Sequence, residues 1–265
     1  MDGDRKIWSS SSDYMLKEWD WNKCEPFLRV QGQLADVDYN SYLGFNFTFS
    51  SDDGAVIVTA DTIPVGDYFA STGETANVPS DALAGPNRAL SRDGRLLVEI
   101  ARKENSPPIL RMWDVSSEKQ TMIQQQTLSA DIPWPIRTMA VSSDGSSVAW
   151  STSYAREKKF ALHALSTGAT KMWNAIIEHA YISDFDLSPD GSLLALRTEW
   201  DTQVWDTRGA VPTRRHTFPG YGPVKDIQFS PDGTLLAAAL WNNNLRIYDP
   251  LQGIVVCTLS GHTGP

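Results

Sequence analysis

Residues 224–259 read VKDIQFSPDGTLLAAALWNNNLRIYDPLQGIVVCTL. Val224 to Phe229 alternates and ends at Ser230-Pro231-Asp232-Gly233; Leu235 to Leu240 is a solid apolar run; Asn244 to Tyr248 alternates again; Ile254 to Leu259 is a fourth stretch. A period of two marks a strand with one buried face, and a short unbroken apolar run marks a strand packed on both faces. The Asp-Gly pair closes the first hairpin at little strain, because glycine accepts positive φ and aspartate can bond its own backbone. The stretch predicts one unit of four short strands joined by three tight connections.

That unit recurs. Asp-Gly pairs stand at Asp2-Gly3, Asp53-Gly54, Asp93-Gly94, Asp144-Gly145, Asp190-Gly191 and Asp232-Gly233, with 51, 40, 51, 46 and 42 residues between successive glycines. A period of this size belongs to a four-stranded sheet per repeat rather than to a helix pair or a leucine-rich unit. The expected fold is all-β, with units of roughly 1–31, 40–83, 86–130, 135–175, 180–219 and 223–260 in one domain over residues 1–265.

Composition narrows the setting. The chain is 41% hydrophobic and 21% charged, ordinary globular material rather than a disordered one. Its formal charge of −9 opposes broad binding to a phosphate backbone, so no nucleic-acid partner is expected. No run of about 18 apolar residues is present, so no membrane partner is expected, and no signal sequence is visible at the start. Two cysteines, Cys24 and Cys257, read as reduced thiols of an intracellular protein, cytoplasmic or nuclear.

Several residues resemble the WD40-repeat β-propeller family: Phe-Ser-Pro-Asp-Gly at 229–233, Leu-Ser-Pro-Asp-Gly at 187–191, Trp-Asp at 19–20, 113–114 and 205–206, Tyr248-Asp249, and Gly261-His262. The resemblance covers essentially the whole chain, with Ala164-Leu165 and Ala70-Ser71 where two Trp-Asp pairs would stand. It implies a β-propeller of four-stranded blades with six recognisable units. It also implies, for each blade, a network of His before the first strand, Ser or Thr on the second, Asp in the next turn and Trp on the third. Ser11, Asp13 and Trp19 match three of those places in the first unit, and His262 takes the fourth if the ring closes. Trp113, Trp205 and Tyr248 match the third-strand position and are expected in the core, as is Trp150 on a second strand.

The first unit begins at its first turn, so the first strand of the first blade is missing. Two readings stand: a fragment of a larger propeller within a longer parent chain, or a self-contained ring that borrows a strand from a donor.

No catalytic chemistry is evident. His163, His179, His216 and His262 show no metal-ligand spacing, and no nucleophile elbow, phosphate loop or dinucleotide fingerprint occurs. No cofactor, no metal and no enzyme activity are expected. Aromatics instead gather where turns should be small and polar. Trp134, Tyr181 and Tyr221 fall in fourth-to-first loops, and Trp200 and Trp241 in second-to-third loops, all on one end of the sheets. Arg156 and Asn242 to Asn244 supply a polar margin. Exposed Trp and Tyr of this kind are hot-spot residues of interfaces. The expected function is therefore a non-catalytic scaffold that binds a protein or peptide on this face. The alternatives are a sensor segment of a larger signalling protein and a propeller-type hydrolase or lactonase.

Overall fold

The computed structural model describes residues 6–10, 15–20, 30–33, 45–49, 56–60 and 87–260, the last stretch apart from 92–94, 116–120, 133, 153–156, 177–181, 199 and 221–222. Ser11, Asp13, Arg156, His179, Tyr181, Tyr221 and His262 lie outside the described residues, as do the Asp-Gly pairs at 2, 53 and 93.

Among the described residues all regular structure is strand. The first sheet pairs β1 (Lys6–Ser10), β2 (Met15–Asp20, which carries Trp19) and β3 (Val30–Gln33); the second pairs β4 (Phe45–Phe49) with β5 (Val56–Ala60). Four complete antiparallel sheets follow, each in sequence order. The third holds β6 (Arg88–Leu90), β7 (Leu96–Ala101), β8 (Ile109–Asp114) and β9 (Thr121–Thr127). The fourth holds β10 (Ile136–Val141), β11 (Ser147–Thr152), β12 (Glu157–Ala164) and β13 (Thr170–Ile176). The fifth holds β14 (Ile182–Leu187), β15 (Leu193–Thr198), β16 (Asp201–Asp206) and β17 (Thr213–Pro219). The sixth holds β18 (Val224–Phe229), β19 (Leu236–Leu240), β20 (Asn244–Asp249) and β21 (Ile254–Ser260).

One hydrogen-bond circuit makes the first hairpins of the fourth, fifth and sixth sheets. Asp144, Asp190 and Asp232 accept from the backbone N–H of Ser146, Ser192 and Thr234 at 2.8, 3.0 and 3.0 Å, and from the hydroxyls of Ser142, Ser188 and Ser230 at 2.7, 2.7 and 2.6 Å. Those serines accept in turn from the N–H of Ser147, Leu193 and Leu235, each at 2.9 Å. Gly233 closes its turn at φ 71°, a conformation that would strain a residue with a Cβ. The serine two places before each aspartate is thus as much a part of the motif as the Asp-Gly pair.

The second strands explain why the sheets stand side by side. Val148 and Trp150 of β11 pack with Val98 and Ile100 of the third sheet, while Ala149 between them packs with Phe185 and Leu196 of the fifth. In β15, Leu194 and Leu196 face the fourth sheet, and Leu193 and Ala195 face the sixth. A strand apolar on both faces needs a sheet on either side, and burying each large side chain contributes about 1.5–3 kcal/mol. First strands of successive sheets lie in contact: β6 with β10, β10 with β14, and β14 with β18.

Fourth strands latch onto the next sheet. Gln124, Lys171 and His216 hold one register position, opposite Met112, Leu162 and Val204. Each donates to a backbone carbonyl in the following third-to-fourth turn: Gln124 to Leu165 at 3.2 Å, Lys171 to Thr207 at 2.9 Å and His216 to Leu251 at 3.1 Å. Gly253 sits in the last of these turns at φ 75°, and a Cβ there would lie 2.4 Å from His216 Nδ1.

Register corrects one reading of the fourth unit. Val148 pairs with His163 as Leu194 pairs with Trp205 and Leu236 with Tyr248, so His163-Ala164, not Ala164-Leu165, takes the Trp-Asp position. His163 is wholly buried, with Nδ1 2.8 Å from Thr170 Oγ1 and Nε2 3.2 Å from Gln126 Oε1. An amide oxygen only accepts, so Nε2 carries the proton and Nδ1 accepts from the threonine, which suits a neutral ring. Burial lowers the pKa of His163 in the same sense.

Tyr248 is in the core at 1% exposure, stacked on Phe218 at 4.2 Å. Trp113 and Trp205 are half-buried instead, although the buried Tyr248 and His163 stand at the same place, one residue from the end of a third strand. Trp205 still packs against the core between the fourth and fifth sheets.

Trp150, fully buried between two sheets, sets the expected cost of losing that packing. Trp150→Ala should lower stability by about 3–5 kcal/mol in urea unfolding. A loss below about 1 kcal/mol would contradict burial on this seam.

Candidate interaction face

Antiparallel order puts the second-to-third and fourth-to-first connections of every complete sheet at the same end, opposite the Asp-Gly turns. Trp200 lies between β15 and β16, and Trp241 between β19 and β20. They are 52% and 51% exposed. The two ends of the connection from β17 to β18, Gly220 and Pro223, are each bonded to one of these turns. Gly220 N–H donates to the Trp200 carbonyl at 2.8 Å, and Trp241 N–H donates to the Pro223 carbonyl at 2.9 Å. Arg246 adds a bond to the Pro219 carbonyl at 3.1 Å. The two indoles therefore flank one seam of the structure.

A polar network fixes the turn that carries Trp200. The buried Thr198 hydroxyl donates to Asp201 Oδ1 at 2.7 Å and accepts from the N–H of Trp200 and Asp201 at 3.2 and 2.9 Å. Gln203 links Asp201 to Trp205, donating to the carboxylate and accepting from the indole Nε1–H, each at 3.3 Å. Thr198 on a second strand and Trp205 on the third hold two of the network places that the resemblance implies, while Asp201 is the first residue of β16 rather than a turn residue. Trp241 has a different support: Asn243 accepts φ 67°, as asparagine does more readily than most residues.

Trp134 is half-buried in the β9–β10 connection and packs against the core between the third and fourth sheets, with the Arg102 guanidinium 5.8 Å from its ring centroid. Of the aromatics that the sequence gathers on this end, Trp200 and Trp241 share one seam and Trp134 stands at another.

Two cations of the seam escape a reading based on aromatics alone. Lys225 Nζ lies 3.8 Å from the Trp241 ring centroid, and Arg197 donates to the carbonyls of Val224, at 3.3 Å, and of Lys225. A signal for Lys225 exists: Val224 and Ile227 are apolar at a spacing of three, where a regular strand needs two. The extra residue is a β-bulge, since Val224 pairs with Leu240 and Asp226 with Ala239. β10 and β14 enter with the same irregularity.

Asp226, next along β18, is exposed as a residue, while its carboxyl group is enclosed by the seam. Desolvation, then the Asp184 carboxylate, push its pKa up to about 7 against the opposing pull of Arg197. Among the described residues no group of His, Cys, Asp and Glu is arranged to hold a metal ion, and no helix is long and apolar enough to cross a membrane.

Residues 212–249 match the WD domain, G-beta repeat family. That segment is similar to a WD40 repeat. The matched segment runs from β17 through β20, so the WD40 repeat is offset by one strand from the sheet and spans the seam on which Trp200 and Trp241 stand. The match supports a WD40-repeat family assignment, and with it a protein-interaction scaffold role in general terms. No curated protein matches the chain.

Asp226 yields a pH prediction. Its raised pKa means that the folded chain holds a proton the unfolded chain releases, so this contribution is fully present below about pH 4 and is lost as the pH rises through about 7. Asp226→Asn should remove that loss, making the variant more stable relative to the parent at pH 8 than at pH 5 in urea unfolding. Equal differences at both values would show that Asp226 is ionised throughout.

Proposed function

We propose that the sheets are blades of a six-unit β-propeller, which acts as a non-catalytic scaffold and binds a protein or peptide on the end formed by the second-to-third and fourth-to-first loops. The observation that carries the reading is the pair Trp200 and Trp241, about half exposed on rigid turns at either side of one stitched connection. Large aromatics displayed on fixed backbone lose little conformational freedom on binding and desolvate a large area, which is why they dominate interface energies.

Burial on the sixth sheet supports a closed ring. Its face turned away from the fifth sheet holds Leu235, Leu245, Ile247, Cys257 and Leu259, and Ile247 is 0% and Leu259 1% exposed. A further sheet lying over that face accounts for such burial. The latch position is filled there by Cys257, opposite Ile247. A ring of blades tied seam by seam offers one broad, rigid end surface without dedicated chemistry.

Quantitative co-purification from the source cells tests the reading. Proteins retained by the parent chain should fall at least about tenfold with Trp200→Ala and with Trp241→Ala, the loss expected of hot-spot truncation. Leu251→Ser, a change to an exposed residue at the opposite end, should retain them. Equal retention by all the variants would remove this face as the binding surface.

A further inference from the structure

The seam that displays Trp200 and Trp241 also carries two cations, of which Arg197 acts on the Asp226 carboxylate and Lys225, among the described residues, on none. Lys225 is the extra residue of the β18 bulge, so its side chain is released from the ladder and lies on the Trp241 ring. Arg197, reaching over from the fifth sheet, places a second cation against the Lys225 backbone. Among the described residues neither cation forms an ion pair. Desolvation and then repulsion from Arg197 lower the pKa of Lys225, and no carboxylate offsets them. An anion delivered to Lys225 would relieve both effects.

Both ends carry carboxylates, Asp201 and Asp226 standing on the loop end, and what distinguishes the loop end is its cation–aromatic pairs. The turn end carries Asp144, Asp190 and Asp232 on its hairpins. On the loop end Arg102 stands over Trp134 as Lys225 stands over Trp241, and the bulge at the entry of β10 places the exposed Arg137 where β18 has Lys225. A chain of formal charge −9 thus sets cation–aromatic pairs on the face with the exposed indoles. An aromatic and a cation side by side suit a ligand that pairs an apolar group with a carboxylate.

We propose that the partner of this face is a polypeptide segment rich in acidic residues, one carboxylate of which is received by Lys225 beside Trp241 while an adjacent apolar side chain rests on Trp200. The inference rests on the interaction-face reading above and adds the chemistry of the partner.

An array of random-sequence dodecapeptides, probed with the full chain, tests both and separates them. Retained peptides should be enriched several-fold in Asp and Glu over the array. The enrichment should vanish with Lys225→Gln, persist with Lys225→Arg, and all retention should fall with Trp241→Ala. Resynthesis of the best peptides with Gln for Glu should lower affinity about tenfold, or about 1.4 kcal/mol. Peptides that need Trp241 but show no acidic enrichment would overturn the inference and leave the interaction face standing. Acidic enrichment that survives Lys225→Gln would overturn the assignment to Lys225. Retention indifferent to both tryptophans, or no retention at all, would overturn the interaction face together with the inference. Tighter binding of an oligothymidine than of any peptide would overturn the inference in favour of a nucleic-acid ligand.

Discussion

Burial of the second strands β7, β11 and β15 on both faces is the constraint from which the rest of the structure follows; β19 is fully buried only at alternate residues, against the expectation from its unbroken apolar run. Val148, Ala149 and Trp150 are each 0% exposed, as are Leu194, Ala195 and Leu196, yet neighbouring residues point to opposite cores. No isolated sheet can satisfy such a strand. The fourth and fifth sheets are each held between two others, and the polar latches from Gln124, Lys171 and His216 tie neighbouring sheets together. The apolar contacts supply most of the stabilisation; the latches supply geometry, since a net hydrogen bond contributes only about 1 kcal/mol.

Once the sheets are fixed in this way, the loops have little structural work left. The turn end is consumed by hairpin circuits and by latches received from the preceding sheet. The loop end is freer, and there the chain places large aromatics on turns that small polar residues would close as well. Trp200 is held by the Thr198–Asp201–Gln203 network from beneath, and the connection through Gly220 and Pro223 ties it to the turn of Trp241. Rigid support under an exposed indole is the arrangement that favours binding over self-packing. The proposed scaffold thereby separates stability from recognition along the strand axis, with Trp150 and Tyr248 serving the first and Trp200 and Trp241 proposed for the second.

Much of this was legible in the sequence because the signals are local. Asp-Gly turns, the apolar second strands and the exposed positions of Trp200 and Trp241 follow from neighbours a few residues apart. What escaped depends on register or on contact between sheets. His163 takes the Trp position of the fourth unit because the strand pairing, not the spacing, decides which residue faces Val148. Trp113 and Trp205 are only half-buried while Tyr248, at the same place in its strand, is in the core, so strand position alone does not decide burial. Lys225 was hidden in an apparently alternating strand whose break in period marks a bulge. The latch residues, a Gln, a Lys and a His, share no side-chain type, so their equivalence emerges only from their common position opposite the third strand.

Hydrogen exchange measured strand by strand tests most directly the claim that each sheet depends on its neighbours. The amides of β7, β11, β15 and β19 should be the slowest in their sheets and should exchange with similar free energies of opening, because each opens only when a shared core opens. Exchange of one second strand as fast as the fourth strand of its own sheet, with the others still protected, would contradict the account by showing that a sheet can lose its neighbours without consequence for the rest.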